Sequence, residues 1–277
     1  MDKAAASGAD ALTLDLEDAV PTGEKDNARR ITSEFLCRRG NEVWCSVRVA
    51  PIEDRRCYDD IAAVVRAGAC GVTLPKVESP DDVLVCDRIL GWHEEANGLA
   101  PGSIAIIPAF ESAAALLDAA RIAAASPRVA LTGPTAGKGG DVERSIGYRW
   151  TAQMEESLVL RSLGLLAMRA AGVPNPLTGL WTEIRDLAGL QAFAEQSREI
   201  GYDGMVVIHP SHVAVANAAF TVADVDLDYY EELVAALEAA EREGRAAITF
   251  RGEMIDIAMK VRAMDVLAAA GVRPAVD

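Results

Sequence analysis

The segment Leu14-Asp15-Leu16-Glu17-Asp18-Ala19-Val20-Pro21 places three acidic residues where an apolar strand runs into a loop. In an α/β barrel, the catalytic groups lie at these carboxyl ends of the strands. Side chains alternate between the faces of a strand, so a strand that begins near Ala11 has a leucine face and a polar face. The leucine face consists of Leu12, Leu14 and Leu16, and the polar face consists of Thr13, Asp15 and Glu17. We expect the leucines to pack under helices and the acids to point into a central site; the competing interpretation is an exposed edge strand with solvated acids.

The composition favours one large α/β domain with a smaller extension. The chain has 277 residues, of which 51% are hydrophobic, so it can bury a substantial core and is too apolar to be disordered. A single α/β barrel takes about 250 residues, and no linker rich in Pro, Gly or Ser interrupts the middle of the chain. We expect a barrel over residues 1–220 and a helical extension over residues 221–277, which packs on the barrel or on a neighbouring subunit.

The formal charge of −15 argues against a nucleic-acid partner, because binding a phosphate backbone requires a cationic surface. No apolar stretch has the length of a membrane span, and the first four residues lack the apolar centre of a signal peptide. The five cysteines form no CxxC pair and have no histidine at zinc-finger spacing. We therefore expect a soluble cytoplasmic protein with reduced cysteines and no membrane partner.

Short β-rich runs alternate with alanine-rich helical patterns along the chain. The predicted strands are Ala11–Glu17, Glu42–Val49, Gly71–Val77, Ser103–Phe110, Arg128–Gly133, a weaker one around Val173–Leu180, and Gly204–His209. The predicted helices include Asp59–Ala67, Pro80–Ala96, Ala113–Ala125, Gln153–Ala171 and Leu187–Ile200. This β/α order requires a parallel sheet, and we expect a TIM (β/α)8 barrel. Seven strands leave one missing, and its natural place is ahead of residue 1.

The carboxy-terminal region continues with a helical pattern at Ser211–Ala219, an acidic loop at residues 224–228 and a helix at Tyr229–Glu243. A short strand or turn at Ala246–Gly252 and a last helix from about Ile255 to Ala270 follow. If this extension docks on another subunit, it can contribute to that subunit's site.

Glu111 and Asp141 follow two consecutive predicted strands, so their carboxylates are candidates for one shared cation. Two carboxylates, with waters or substrate oxygens filling an octahedron, are a usual arrangement for Mg²⁺. The alternatives are an acid stabilised by a helix dipole at Glu111 and a helix N-cap at Asp141. The glycine-rich loop between them does not have P-loop spacing, because Lys138 is followed by Gly139.

Arg48 lies within a predicted strand, where a charged side chain must be paired or must line a polar cavity. Its guanidinium suits a substrate carboxylate, and the alternative is a structural ion pair with Glu17 or Asp18. Lys76 also ends a strand and is a candidate for binding the substrate or forming a Schiff base, although lysines at strand ends are often merely solvated. His209 is a possible base, but a hydrogen-bonded scaffold role is commoner for a histidine beside a proline.

These motifs together resemble the aldolase/citrate lyase family, in its citrate lyase β-subunit-like branch, which includes malyl-CoA, citramalyl-CoA and β-methylmalyl-CoA lyases. The matching motifs are Lys3 to Asp10, Asp15 to Val20, Val47-Arg48-Val49, Leu74-Pro75-Lys76-Val77-Glu78, Glu111-Ser112-Ala113, Asp141 with Gly147, Gly201–Pro210, and Gly252 to Asp256. Several spaced motifs in the right order make the resemblance specific, and it covers nearly the whole chain.

The resemblance implies a role for each candidate. Glu111 and Asp141 ligate Mg²⁺, while Glu17 and Asp18 hold metal-bound waters or orient Arg48. Arg48 binds the oxygens of a keto acid. The catalytic aspartate is Asp256, supplied by the extension of an adjacent subunit in a homotrimer or hexamer.

The implied reaction is the reversible cleavage of a 3-hydroxyacyl-CoA, such as malyl-CoA or citramalyl-CoA, into an acyl-CoA and an α-keto acid, glyoxylate or pyruvate. Arg48 stabilises developing oxyanion charge, and Asp256 moves a proton to or from the acyl carbon. The alternatives are a citryl-carrier lyase subunit, a malyl-CoA thioesterase, a hydroxy-acid aldolase, or a catalytically inactive barrel subunit.

Two features depart from the family pattern. Family members begin with a strand that carries an Arg-Ser pair and a Pro-Gly turn, and this chain starts after it. Either the start is truncated, or the barrel lacks a strand and some acyl-CoA contacts. The loop Thr132–Gly140 also differs from the usual short Gly-x-x-Asp form, and this difference affects where Asp141 lies as a metal ligand.

Overall fold

The computed structural model describes residues 1–132, 136–221 and 224–271. In the first 220 residues, each strand is followed by one or more helices. The strands are β1 (Ala11–Asp15), β2 (Trp44–Arg48), β3 (Gly71–Leu74), β4 (Ala105–Pro108), β5 (Leu177–Thr178) and β6 (Gly204–Met205). The helices are α1 (Asp2–Ala5), α2 (Lys25–Arg39), α3 (Arg56–Arg66), α4 (Pro80–Ala96), α5 (Ala113–Leu117), α6 (Ala119–Ala123), α7 (Asp141–Ile146), α8 (Glu155–Ala170), α9 (Leu187–Ile200) and α10 (Pro210–Phe220).

All strand pairs in this part of the chain are parallel, as the β/α order predicts. Strands β1 to β4 form one sheet in sequence order, and β5 pairs with β6 in a second. Single bridges extend the pattern, from β4 to Val129 and from Gly137 to Leu180. Among the described residues, no pairing joins β6 to β1. The structure therefore establishes an α/β fold with parallel sheets of the barrel type, and the pairings among the described residues do not by themselves close a ring.

In the first 220 residues, one predicted strand and one predicted helix differ from the structure. The strand at Arg128–Gly133 is represented only by the bridge at Val129, and Gly133 lies outside the described residues. The predicted helix Ala113–Ala125 is wrong as a single element, because the backbone at Asp118 (φ −102°, ψ 9°) leaves the helical range and separates α5 from α6.

The two faces of β1 differ in chemistry, as the alternation predicts. Leu12, Leu14 and Leu16 are buried in the main hydrophobic core. On the opposite face, the hydroxyl oxygens of Thr13 and Ser46 are 2.8 Å apart, and Thr73 donates to Ser46 at 3.3 Å. Among the described residues β1 has one partner strand, β2, so it lies at the edge of its sheet. Of the acids in this segment, Glu17 is only 4% exposed and Asp15 is partly buried, whereas Asp18 is exposed.

The chain divides into two compact units, Met1–Phe220 and Thr221–Asp277. The second contains α11 (Asp224–Arg242), the antiparallel strands β7 (Ala247–Phe250) and β8 (Glu253–Asp256), and α12 (Ile257–Ala269). The hairpin turn is Arg251-Gly252, with φ values of 48° and 92°, as two-residue hairpin loops favour. The predicted last helix is confirmed, but it begins at Ile257 and not near Ile255, because β8 occupies residues 253–256. The predicted acidic loop at residues 224–228 is wrong, because these residues form the first part of α11.

This second unit has its own small core, formed by Leu233, Val234, Leu237, Ile255, Ala263 and Leu267. In neither unit do the described residues include a helix with both the length and the apolarity that a membrane crossing requires.

Candidate functional site

An ion pair joins the carboxyl ends of β1 and β2. Asp15 and Arg48 are register partners, and Arg48 donates to both carboxylate oxygens, from Nε at 2.8 Å and from Nη2 at 2.7 Å. Arg48 Nη1 lies 3.2 Å from Glu17 Oε2. Burial opposes the charge on Asp15, but the hydrogen bonds from Arg48 and from two backbone amides lower the pKa of Asp15 below its ordinary value. Hydrogen bonds to Asp15 raise the pKa of Arg48, so the guanidinium stays charged.

The loop after β1 folds around its own acidic side chains. The Asp15 carboxylate accepts the amides of Glu17 at 2.9 Å and Ala19 at 3.0 Å, and Glu17 Oε2 accepts the amide of Asp18 at 2.9 Å. Such turns are typical of aspartate, whose short side chain can reach the backbone two residues on. The alternation of leucine and acid therefore produces both a buried strand and a loop whose carboxylates are held in fixed directions.

Lys76 connects the loop after β3 to the same acids. Its Nζ contacts Glu17 Oε1 and lies 3.1 Å from Asp18 Oδ2. Burial opposes its charge, but these two contacts raise the pKa of Lys76 above its ordinary value. Lys76 also has φ 52°, in the left-handed region that a side chain rarely occupies. Strained residues of this kind cluster at functional sites.

Glu111 lies just beyond β4 and is partly buried. Burial raises its pKa to about 7, with further increases from the negative charges of Glu17 and Asp141 and opposing effects from Arg48 and Lys76. Glu111 is therefore within electrostatic range of all four side chains. The structure brings these predicted site residues into one region.

Asp141 is the first residue of α7, and its carboxylate lies 2.8 Å from Arg144 Nη2. The N-cap of α7 is Gly140, so the alternative that made Asp141 the N-cap is wrong. The N-cap of α5 is Ser112, whose hydroxyl accepts the amide of Ala115, and Glu111 precedes it.

The donor set at Glu111 and Asp141 fits a small divalent cation. Glu111 is a partly buried carboxyl whose pKa is raised by burial and by the charges of two other carboxylates, and a cation would relieve this excess of negative charge. None of the ion pairs among the described residues includes Glu111. The described residues gather no cluster of three or more His, Cys, Asp or Glu groups able to hold a metal. Mg²⁺ is commonly held by only one or two carboxylates, with the remaining positions filled by water or substrate oxygens.

A small cavity of about 200 Å³ adjoins these residues. Its lining includes the acids Glu17 and Asp18 and the cations Lys25, Arg56 and Lys76. Cavities for drug-sized ligands are about 300–1,000 Å³, so this one has the size for a small polar molecule.

Two contacts at this site have no signal in the sequence. Asp15 is predicted to face the centre, but its partnership with Arg48 depends on the strand register. Lys25 Nζ donates to the carbonyl oxygens of Leu16 at 2.7 Å and Glu17 at 2.5 Å, and thereby holds the end of β1. No local pattern distinguishes Lys25 from a solvated helix lysine.

Two other residues that the sequence suggests for catalysis, His209 and Asp256, lie later in the chain than the residues described above. His209 Nδ1 is 2.7 Å from Ser211 Oγ, the contact expected of a scaffold histidine. Asp256 is the N-cap of α12 in the second unit, and its carboxylate accepts the amides of Ala258 at 2.9 Å and Met259 at 3.4 Å. The catalytic role of Asp256 stays a prediction.

Known proteins resemble the chain over nearly its whole length. The chain is 33% identical to the citrate lyase subunit beta of Escherichia coli, over 95% of this chain and 86% of that protein. It is 32% identical to a (3S)-malyl-CoA thioesterase of Cereibacter sphaeroides, over 98% and 90% of the two chains. Among solved structures, CitE of Mycobacterium tuberculosis, in complex with magnesium, acetoacetate and coenzyme A, matches with a TM-score of 0.75 and 29% identity, over 98% of this chain and 93% of that one.

The family model for HpcH/HpaI aldolase/citrate lyase matches residues 1–210 of the chain. This span contains β1 to β6 and all the candidate residues except Asp256. The chain therefore belongs to the HpcH/HpaI aldolase/citrate lyase family and is a lyase.

Proposed function

We propose that the chain is a Mg²⁺-dependent carbon–carbon lyase that cleaves, or in reverse forms, a 3-hydroxyacyl-CoA such as malyl-CoA or citramalyl-CoA. The products of cleavage are an acyl-CoA and an α-keto acid, glyoxylate or pyruvate. The observation that carries the proposal is the ion-paired cluster of Asp15, Glu17, Arg48 and Lys76 at the carboxyl ends of the strands, with Glu111 within electrostatic range of it. The complex of the M. tuberculosis relative with magnesium, acetoacetate and coenzyme A supports it.

Glu111 and Asp141 would hold Mg²⁺ through their carboxylates, and Glu17 and Asp18 would orient bound water or Arg48. When bound, Mg²⁺ supplies Lewis-acid polarisation of the keto-acid oxygens. The raised pKa of Glu111 also means that a cation and a proton compete for this carboxylate, so occupancy rises with pH toward and above 7.

Arg48 is the proposed anchor for the keto-acid oxygens. Asp15 fixes the plane of the guanidinium by a two-point contact, and Arg48 retains further N–H groups for a ligand. A guanidinium that is already oriented stabilises oxyanion charge without reorganising during the reaction. Lys76, held between Glu17 and Asp18, adds a second positive charge for a substrate carboxylate.

Asp256 is the proposed proton-transfer group, supplied by the carboxy-terminal unit of an adjacent subunit in a homotrimer or hexamer. In condensation it removes a proton from the carbon next to the thioester carbonyl, that carbon attacks the keto-acid carbonyl, and the resulting alkoxide takes up a proton from solvent. In cleavage the hydroxyl loses its proton to solvent and becomes the keto-acid carbonyl as the C–C bond breaks, the C–C electron pair forms an enolate, and Asp256 protonates the acyl carbon.

Two alternatives have specific support from relatives. The Escherichia coli relative is named as a citrate lyase subunit, and the Cereibacter sphaeroides relative is named as a malyl-CoA thioesterase. The same residues could bind citryl or malyl thioesters, and only the bond that breaks differs.

Product analysis of the purified full chain separates these activities. With malyl-CoA or citramalyl-CoA, cleavage yields a keto acid and no free thiol, whereas hydrolysis yields a free thiol and no keto acid. EDTA should abolish the activity and Mg²⁺ should restore it. The absence of keto acid from both substrates, with Mg²⁺ present and the protein folded, would contradict the lyase proposal.

A further inference from the structure

A hydrogen bond joins the segment that carries Glu111 to the helix that carries Asp141. The backbone amide of Ala113, the first residue of α5, donates to Ser145 Oγ at 3.0 Å. Ala113 lies two residues after Glu111, and Ser145 lies four residues after Asp141 on α7. Residues four apart on a helix share one face, so Ser145 and Asp141 lie on the same side of α7.

A second hydrogen bond also holds the Glu111 segment. Ser112 Oγ donates to Glu78 Oε2 at 2.8 Å, which ties the segment to the loop after β3. The same hydroxyl accepts the amide of Ala115 at 3.1 Å and so caps α5. Because Glu78 is two residues from Lys76, the loops after β3 and β4 are linked. The contact with Ser145 is the corresponding link toward α7.

We propose that Ser145 is a positioning residue that sets the separation of the Glu111 and Asp141 carboxylates and thereby favours Mg²⁺ over larger cations. This inference rests on the proposed function, in which these two carboxylates hold the metal. Mg²⁺ demands near-ideal octahedral geometry, whereas Ca²⁺ accepts irregular and expanded coordination. A looser pair of carboxylates therefore weakens Mg²⁺ binding more than Ca²⁺ binding.

The effect of Ser145 on folding is small by comparison. Ser145 is exposed, so water can accept the Ala113 amide when the hydroxyl is removed. The loss of one hydrogen bond that orders the site corresponds to a roughly fivefold change in affinity. Metal affinity, measured without substrate, therefore reports on positioning separately from turnover and from overall stability.

Ser145→Ala removes the acceptor, and Ala113→Pro removes the donor. Proline is favoured at the first position of a helix, and the preceding Ser112 has the extended backbone (φ −133°, ψ 162°) that proline requires. Ser145→Thr retains the hydroxyl. The matched control is Ser33→Ala, which removes a serine hydroxyl that donates to a helix carbonyl at 2.9 Å on α2.

The experiment is calorimetric titration of the full-length variants with Mg²⁺ and with Ca²⁺. We expect Ser145→Ala to raise the Mg²⁺ Kd about fivefold and the Ca²⁺ Kd less than about twofold. Ser145→Thr and Ser33→Ala should match the wild type. Ala113→Pro should weaken Mg²⁺ binding alone but cause no additional loss when combined with Ser145→Ala. An unchanged Mg²⁺ Kd in Ser145→Ala, or an equal loss in Ser145→Thr, would overturn the inference.

Glu111→Gln and Asp141→Asn in the same titration separate this inference from the proposed function. If both variants lose Mg²⁺ binding while Ser145→Ala retains it, the role of Ser145 is wrong and the metal site stands. If both variants bind Mg²⁺ as the wild type does, the metal site itself is wrong and the inference fails with it.

Discussion

Asp15 and Arg48 stand opposite each other on neighbouring parallel strands and make a two-point ion pair, with N–O distances of 2.8 and 2.7 Å. Their side chains are 24% and 28% exposed, so the pair is partly desolvated. The pair fixes the direction of the guanidinium at the end of β2. Asp15 thereby becomes part of the site through Arg48 rather than through the substrate.

Asp15→Asn should lower kcat/KM by about 10- to 100-fold, as is typical when the partner of a site residue is lost. It should also lower the free energy of unfolding at pH 7 by about 1–3 kcal/mol, because the amide replaces one of the charged acceptors of Arg48. Steady-state kinetics and urea unfolding measure the two effects. The control is Asp203→Asn, whose exposed pair with Arg169 should contribute less than about 0.5 kcal/mol.

The stability difference between wild type and Asp15→Asn should depend on pH. The folded-state pKa of Asp15 lies below its ordinary value of 3.8, so the unfolded chain takes up the proton first. The stabilisation is fully present above about pH 4 and is lost as the pH falls through the folded pKa. A difference that stays constant down to pH 2 would show that the charge of Asp15 does not contribute.

Glu94 provides an acid-sensitive contact within the fold. It is fully buried, accepts Arg128 Nη1 at 2.6 Å and Nη2 at 2.7 Å, and accepts the amides of Gly102 and Ile104 at 2.9 Å each. Although burial opposes its charge, these contacts lower the pKa of Glu94 to about 2.

We expect Glu94→Gln to cost about 3 kcal/mol at pH 7, because Arg128 loses its charged partner. The penalty should disappear as the pH falls from about 4.5 to 2, where the wild-type carboxyl is itself protonated. Urea unfolding at pH 7, 4 and 2.5 tests this. An equal penalty at all three values would assign the effect to packing instead of charge.

The sequence predicts the faces of the strands better than it predicts which side chains meet. Alternation along β1 correctly places Leu12, Leu14 and Leu16 in the core, because the period of two is a local property of a strand. The alternative that pairs Arg48 with Glu17 is confirmed, since Nη1 lies 3.2 Å from Oε2, but the sequence does not indicate the principal partner, Asp15. Register between parallel strands depends on distant packing, and 33 residues separate Asp15 from Arg48.

Two other features of the structure cannot be predicted from local sequence patterns. The break at Asp118 falls within a run of alanines and leucines that favours a continuous helix, and tertiary packing overrides that propensity. The Ser145 contact with Ala113 joins positions 32 residues apart and has no signature in either segment.

Glu111→Gln should affect stability and metal binding in opposite directions. The pKa of Glu111 is raised to about 7 from an ordinary value of 4.5, so the folded protein binds the proton more tightly than the unfolded chain. Without metal, stability therefore falls as the pH rises from about 4.5 to 7. The glutamine variant should lack this decline and be about 1–3 kcal/mol more stable than the apo wild type at pH 8.

The same variant should lose the increase in Tm that Mg²⁺ gives the wild type. Thermal melts at pH 5 and pH 8, with EDTA and with Mg²⁺, measure both effects. A glutamine variant that is less stable than the apo wild type at pH 8, or that retains the full Mg²⁺ shift, would contradict the assignment of Glu111 to the metal site.

Asp256 has two separable roles, because asparagine can replace its helix-capping function but not its proton transfer. The carboxylate caps α12 through the amides of Ala258 and Met259, and asparagine is as good an N-cap as aspartate. We expect Asp256→Asn to leave Mg²⁺ binding and the Tm near wild type while it removes most turnover. Asp256→Ala should lose the turnover and also about 1 kcal/mol of stability. Turnover at the wild-type rate in Asp256→Asn would show that another group moves the proton, whereas a loss of Mg²⁺ binding would place Asp256 among the groups that hold the metal.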